Sequence, residues 1–98
     1  MLRIALAFAM MASTAVAGPI ETACNRSDRK ASNTAVCSCI QQVADSTLRD
    51  TDQRRAAKFF GNPDKAHKAW ISKNNGDDAF WQRYKNFGDM AQSYCIPS

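Results

Sequence analysis

The chain has 98 residues, 13 lysines and arginines against nine aspartates and glutamates, a net charge of +4, and four cysteines. A chain of that length makes one domain whose hydrophobic core alone contributes little, on the order of a few kcal/mol beyond the entropy cost, so covalent staples matter and a two-lobed, ligand-closing architecture is excluded. The modest basic excess favours acidic partners, and with no recognised nucleic-acid module in the sequence DNA and RNA are set aside.

The N-terminus carries Arg3, an apolar run from Ile4 to Met11, and the small-residue triplet Ala15-Val16-Ala17 before Gly18-Pro19. This is the pattern of a secretory signal peptide, residues 1–17, cut after Ala17. The apolar run falls short of the roughly 20 residues that a membrane-crossing helix needs. Glu21-Thr22-Ala23 ahead of Cys24 also lacks the aliphatic residue of a lipid-attachment signal. The mature chain is then a single domain over residues 18–98, exported to the periplasm or the extracellular space. No spanning segment remains in it, and only Arg3 is lost from the charged residues, leaving a net charge of +3.

The remaining elements read as helices in chain order. A first helix runs from about Glu21 to Lys30. Asn33 caps a second that reaches about Leu48, with Val36, Ile40 and Val43 at i, i+4, i+7 as its apolar stripe. Asp50 with Gln53 resembles a capping box for a short third helix ending near Phe60-Gly61. Asn62-Pro63-Asp64 supplies a cap, a first-turn proline and an early acid for a fourth helix through Ile71. Asn74-Asn75-Gly76-Asp77 breaks the chain before the longest helix, whose predicted buried stripe is Phe80, Tyr84, Phe87, Ala91 and Tyr94. No stretch alternates with period two. The expected fold is all-α, a small disulfide-stapled bundle of four to five short helices.

Four cysteines in a small exported domain argue for two bridges. At about 100° per residue, Cys37 and Cys39 point about 200° apart on the second helix, so they are poorly placed to bond each other. If the first helix folds back antiparallel about Ala31-Ser32, Cys24 comes level with Cys39, which leaves Cys37 for Cys95. The expected pairs are therefore Cys24–Cys39 and Cys37–Cys95.

Catalytic chemistry lacks its parts. His67 is the only histidine, no G-x-S-x-G motif occurs, and the cysteines are committed to bridges. Met1, Met10 and Met11 leave with the leader, which strips the soft ligands a copper site would use. The reading is no enzyme, no metal and no cofactor. Charge is more informative, because seven basic residues fall between Arg49 and Lys73 against three acids. On the third helix Arg54, Arg55 and Lys58 are expected to share one solvent-facing side, opposite Ala56, Ala57 and Phe60. That basic face suits an acidic protein or an anionic envelope component.

The segments ACNRSDRKA, CSCIQQVAD, DQRRAAKFF and DDAFWQRYKNFGDMAQSYC resemble a family of small exported bacterial four-cysteine proteins of unestablished function, some of which carry the label "arginine transporter". The resemblance covers most of residues 23–95, cysteine layout included, and implies no catalytic motif. A transporter in the literal sense needs several spanning segments or a closed barrel. The label therefore reduces to a soluble accessory binding cationic amino acids such as arginine. Its guanidinium would be held by Asp77 and Asp78 beside Trp81. The principal reading is a disulfide-stabilised binding or envelope-associated protein with a basic face, and the accessory is the alternative.

Overall fold

The computed structural model describes residues 17–27 and 33–96, so the predicted leader, apart from Ala17, lies outside the described residues. Five helices form: α1 (Pro19–Arg26), α2 (Thr34–Thr47), α3 (Asp50–Gly61), α4 (Pro63–Ile71) and α5 (Asn75–Cys95). No strand occurs among the described residues. The fold is all-α, a small helical bundle stapled by two disulfides.

Local chemistry explains most boundaries. Pro19 opens α1 at a position where its missing N–H costs nothing, and Ser27 ends it, its hydroxyl and its N–H both donating to the Cys24 carbonyl. The helix ends at Arg26, and residues 28–30 of the span expected from sequence lie outside the described residues. Asn33 caps α2 by accepting from the Val36 N–H at 2.8 Å. Asn74 does the same for α5 through the Gly76 N–H, also at 2.8 Å. At α3 the expected Asp50/Gln53 box is not the device used. The N-cap is Arg49, whose N–H donates to the Asp52 carboxylate at 3.3 Å, while Gln53 is buried.

The core joins all five helices through Ile20, Val43, Ala44, Leu48, Ala56, Phe59, Ala69, Phe80, Phe87, Ala91 and Cys95. Alanines at 44, 56 and 69 let backbones approach, and the phenylalanines fill the space between them. Phe59 meets Phe80 and Tyr84 edge-on, with centroids 5.9 and 5.1 Å apart.

Two apolar stripes depart in part from their expected faces. On α2 Val43 is buried as expected, but the inward row is Cys37, Gln41 and Ala44, with the C-cap Leu48 next, at i, i+4, i+7, i+11, while Val36 and Ile40 are only half-buried. On α5 the stripe holds through Phe80, Phe87 and Ala91, but Tyr94 is 74 % exposed and Cys95 takes the inward place. Tyr94 sits about 100° from Cys95 on the helix, so tethering Cys95 inward sends Tyr94 outward.

The rotation of α2 also overturns the expected cysteine pairing. Cys24 bonds Cys37 and Cys39 bonds Cys95, with Cα–Cα distances of 5.5 and 5.6 Å. With Cys37 on the buried face of α2, it meets α1. Cys39, about 200° away, is left to reach the end of α5.

A buried polar cluster ties the first three helices together. The Gln41 carbonyl oxygen accepts from the Glu21 N–H at 2.9 Å, so a side chain of α2 caps α1, whose own N-cap residue is Gly18. Gln41 Nε2 donates to Asp45 and to Gln53, both at 2.8 Å, and Gln53 Nε2 donates onward to Asp45 and to the Leu48 carbonyl. A Cβ at position 18 would collide with the Gln41 amide, so the glycine there serves this close approach.

Candidate functional site: a basic groove between α3 and α4

The orientation of α3 decides which of its cations reach solvent. Its first turn is clamped to α5, because Asp52, with a side chain only 7 % exposed, takes Arg83 Nε at 2.7 Å and Nη2 at 3.0 Å. That bidentate hydrogen bonding holds the Asp52 carboxyl below its usual pKa against the opposing effect of burial, and holds the Arg83 guanidinium above its own. Gln53, Ala56 and Phe59 then point inward, and Arg54 and Lys58 stand exposed.

Arg55 behaves differently from its neighbours. Its guanidinium lies 4.3 Å from the Phe80 ring centroid and pairs with Asp77 at 2.9 Å. Asp77 also accepts the Ser72 hydroxyl at 2.7 Å, and these two donors, the hydroxyl first, lower its pKa. The expected single solvent-facing side of Arg54, Arg55 and Lys58 is therefore split, because Arg55 turns towards α5.

A single residue, Asn62, separates α3 from α4, so the two helices lie beside each other. Between them runs a groove of about 300 Å³ lined by Arg55, Lys58, Phe59, Lys65, Lys68, Ala69 and Asp77. Its floor is apolar, Phe59 and Ala69 being 5 % and 2 % exposed. Lys58, Lys65 and Lys68 are exposed on its walls. Lys58 also borders a second cleft of about 380 Å³ against α1, whose lining includes Arg26, Ser27 and Phe60. Arg54 lines neither.

Of the predicted basic residues, the structure thus brings Arg55 and Lys58 together and adds Lys65 and Lys68. The signal for the added pair lies in the sequence. A one-residue connection keeps α4 next to α3, and lysines three apart on α4 share one side.

The alternative ligand set does not converge. Asp77 is held by Ser72 and Arg55, Asp78 is exposed, and Trp81 is half-buried against the core with its ring 5.2 Å from Tyr84. Neither aspartate caps α5, since Asn74 does. His67 is exposed, with its ring 5.6 Å from that of Trp70. Among the described residues, no group of three His, Cys, Asp or Glu side chains could hold a metal ion.

No family model matches the chain, and neither a curated protein nor a solved structure matches it significantly. The geometry offers cations around an apolar floor, an arrangement that attracts anionic groups, and the cysteines are all bonded to each other.

Proposed function

We propose that this protein is an exported, non-enzymatic binding module whose α3–α4 groove captures an anionic group on an envelope component or an acidic protein. The observation that carries this reading is the gathering of Arg55, Lys58, Lys65 and Lys68 around one groove in which Asp77 is the only acid. Asp77 offsets Arg55, so the net attraction comes from the three lysines.

Export is supported by the two disulfides, which belong to oxidising compartments. It is also supported by the position of Ile20, fully buried and three residues past the expected cut, so that removing residues 1–17 leaves the core whole. No helix among the described residues is long and apolar enough to cross a membrane. The resemblance to small exported four-cysteine proteins fits the same reading. The arginine-accessory alternative gains no support, because the chain's own Arg55 makes the contacts with Asp77 that a ligand guanidinium would need.

The test is a pull-down from the envelope fraction with the oxidised protein and its Lys58→Ala/Lys65→Ala/Lys68→Ala variant, at low and high salt. Exposed substitutions cost within about 0.5 kcal/mol each, so the variant should keep its helicity. Wild type should retain partners at low salt, release them as screening shortens to about 8 Å and below, and outperform the variant. Equal recovery by both proteins at both salts would remove the groove from the function.

A further inference from the structure

Among the described residues four large apolar side chains stand exposed, Trp70, Ile71, Tyr94 and Ile96, and two of them are neighbours on α4. That helix buries Ala69 alone. At about 100° per residue His67 lies between Trp70 and Ile71 on its outer surface, and the 5.6 Å contact of the His67 and Trp70 rings agrees with that order. Lys68 stands beside Ile71 on the other flank, Lys65 lies beyond it at the groove, and Lys73 follows two residues after the helix ends. Asp64 is the single acid of α4. The exposed face therefore combines a tryptophan and an isoleucine, 59 % and 57 % exposed, with a cationic flank.

Neither the core nor the groove uses Trp70 and Ile71. A partner for this face must accept apolar side chains and cations together, over the convex outside of a helix. An acidic protein would match the lysines but would also need a pocket shaped for Trp70. An anionic bilayer offers both chemistries over a flat area, with phosphates for the lysines and an interfacial layer for the aromatic ring.

We propose that α4 docks the protein on the surface of a bilayer containing anionic phospholipid. Trp70 and Ile71 enter the interfacial layer, and Lys58, Lys65, Lys68 and Lys73 lie over headgroup phosphates. This inference rests on the reading of the basic groove as the partner-binding surface and gives that surface its partner. The docking is peripheral, with the helix lying in the plane of the interface. Each lysine near an anionic leaflet strengthens partition roughly fivefold, so the four together contribute on the order of several hundredfold at physiological salt.

The experiment uses the purified oxidised protein carrying Trp81→Phe, which leaves Trp70 as its only tryptophan. It is titrated with vesicles of phosphatidylethanolamine and phosphatidylglycerol, with vesicles of phosphatidylcholine alone, and with soluble polyglutamate. Anionic vesicles should shift Trp70 emission to the blue and shield it from an aqueous quencher, and phosphatidylcholine should do neither. Trp70→Ala/Ile71→Ala, compared by co-sedimentation, should lower partition at least tenfold with helicity unchanged. Sedimentation with anionic vesicles that leaves Trp70 quenchable and is indifferent to that double variant would overturn the docking. So would salt-sensitive binding to polyglutamate without vesicle binding. Both results leave the groove standing as an anion-binding surface, whereas failure to bind either polyanion would remove both readings.

Discussion

Replacing Gln41 by Ala tests the feature that most distinguishes this fold from the one expected of its sequence. The side chain is 8 % exposed and makes three hydrogen bonds, to the Glu21 N–H, Asp45 and Gln53. Its loss uncaps α1, at about 1 kcal/mol, and takes from the buried Gln53 oxygen the donor it holds, at about 1–3 kcal/mol. Gln53 keeps its own donations to Asp45 and Leu48, which limits the second cost. The expected destabilisation is about 2–4 kcal/mol, or roughly 10–25 °C in Tm for a domain of this size. Gln41→Glu separates the contributions, since a carboxylate still accepts from Glu21 but loses both donated bonds and faces the Asp45 carboxylate. Thermal unfolding of the oxidised protein by far-UV circular dichroism, with Gln42→Ala as the exposed control, provides the measurement. A Gln41→Ala protein within about 0.5 kcal/mol of that control would refute the buried polar cluster as a structural element.

The two disulfides should differ in worth and in lability. Closing 56 residues, Cys39–Cys95 contributes roughly 4 kcal/mol in the chain-entropy model, and Cys24–Cys37, closing 13, roughly 3; paired Cys→Ala variants compared in urea should rank in that order. Limited reductant should open Cys39–Cys95 first, because Cys39 is only half-buried while Cys24 and Cys37 are 3 % and 0 % exposed, and alkylation followed by peptide mapping reads which thiols appear. Asp52 supplies the pH dependence. Its folded pKa lies below the unfolded value of about 3.9, so its contribution is complete above that value and is lost as pH falls through the lower folded one. Asp52→Asn should therefore be less stable at pH 7 by roughly 1–2 kcal/mol, at the modest end because Arg83 is about a third exposed. The two proteins should converge in acid when their melting is followed down the pH scale.

Helix positions were legible because their signals are local. Asn33 and Pro63 mark starts that the structure keeps, whereas the break expected over residues 74–77 falls at residues 72–74, with α5 already helical from Asn75. Facing directions were less so. Periodicity placed Val36, Ile40 and Val43 at the centre of the α2 face; the structure buries Val43 but leaves the other two half-buried and turns Gln41 inward, since its hydrogen bonds go to α1 and α3, partners that no property of α2 itself announces. The cysteine pairing inherits that rotation, as does Tyr94, displaced outward by Cys95. The basic surface was half legible. Charge density along residues 49–73 pointed to it, yet Arg55 lines the groove with its charge offset by Asp77 and its guanidinium over Phe80, contacts with α5 that no property of α3 itself announces.

The claim that the α3–α4 surface is where this protein meets an anionic partner is tested most directly by amide chemical shifts of the labelled, oxidised protein. Two titrations suffice, one with a short-chain anionic phospholipid below its micelle concentration and one with L-arginine. The account predicts saturable shifts from the lipid confined to the outer turns of α3 around Arg55 and Lys58 and to residues 65–73, fading as salt is added, and no response to arginine. Saturable shifts from arginine centred on Asp77, Asp78 and Trp81, with α3 and α4 silent towards the lipid, would contradict it.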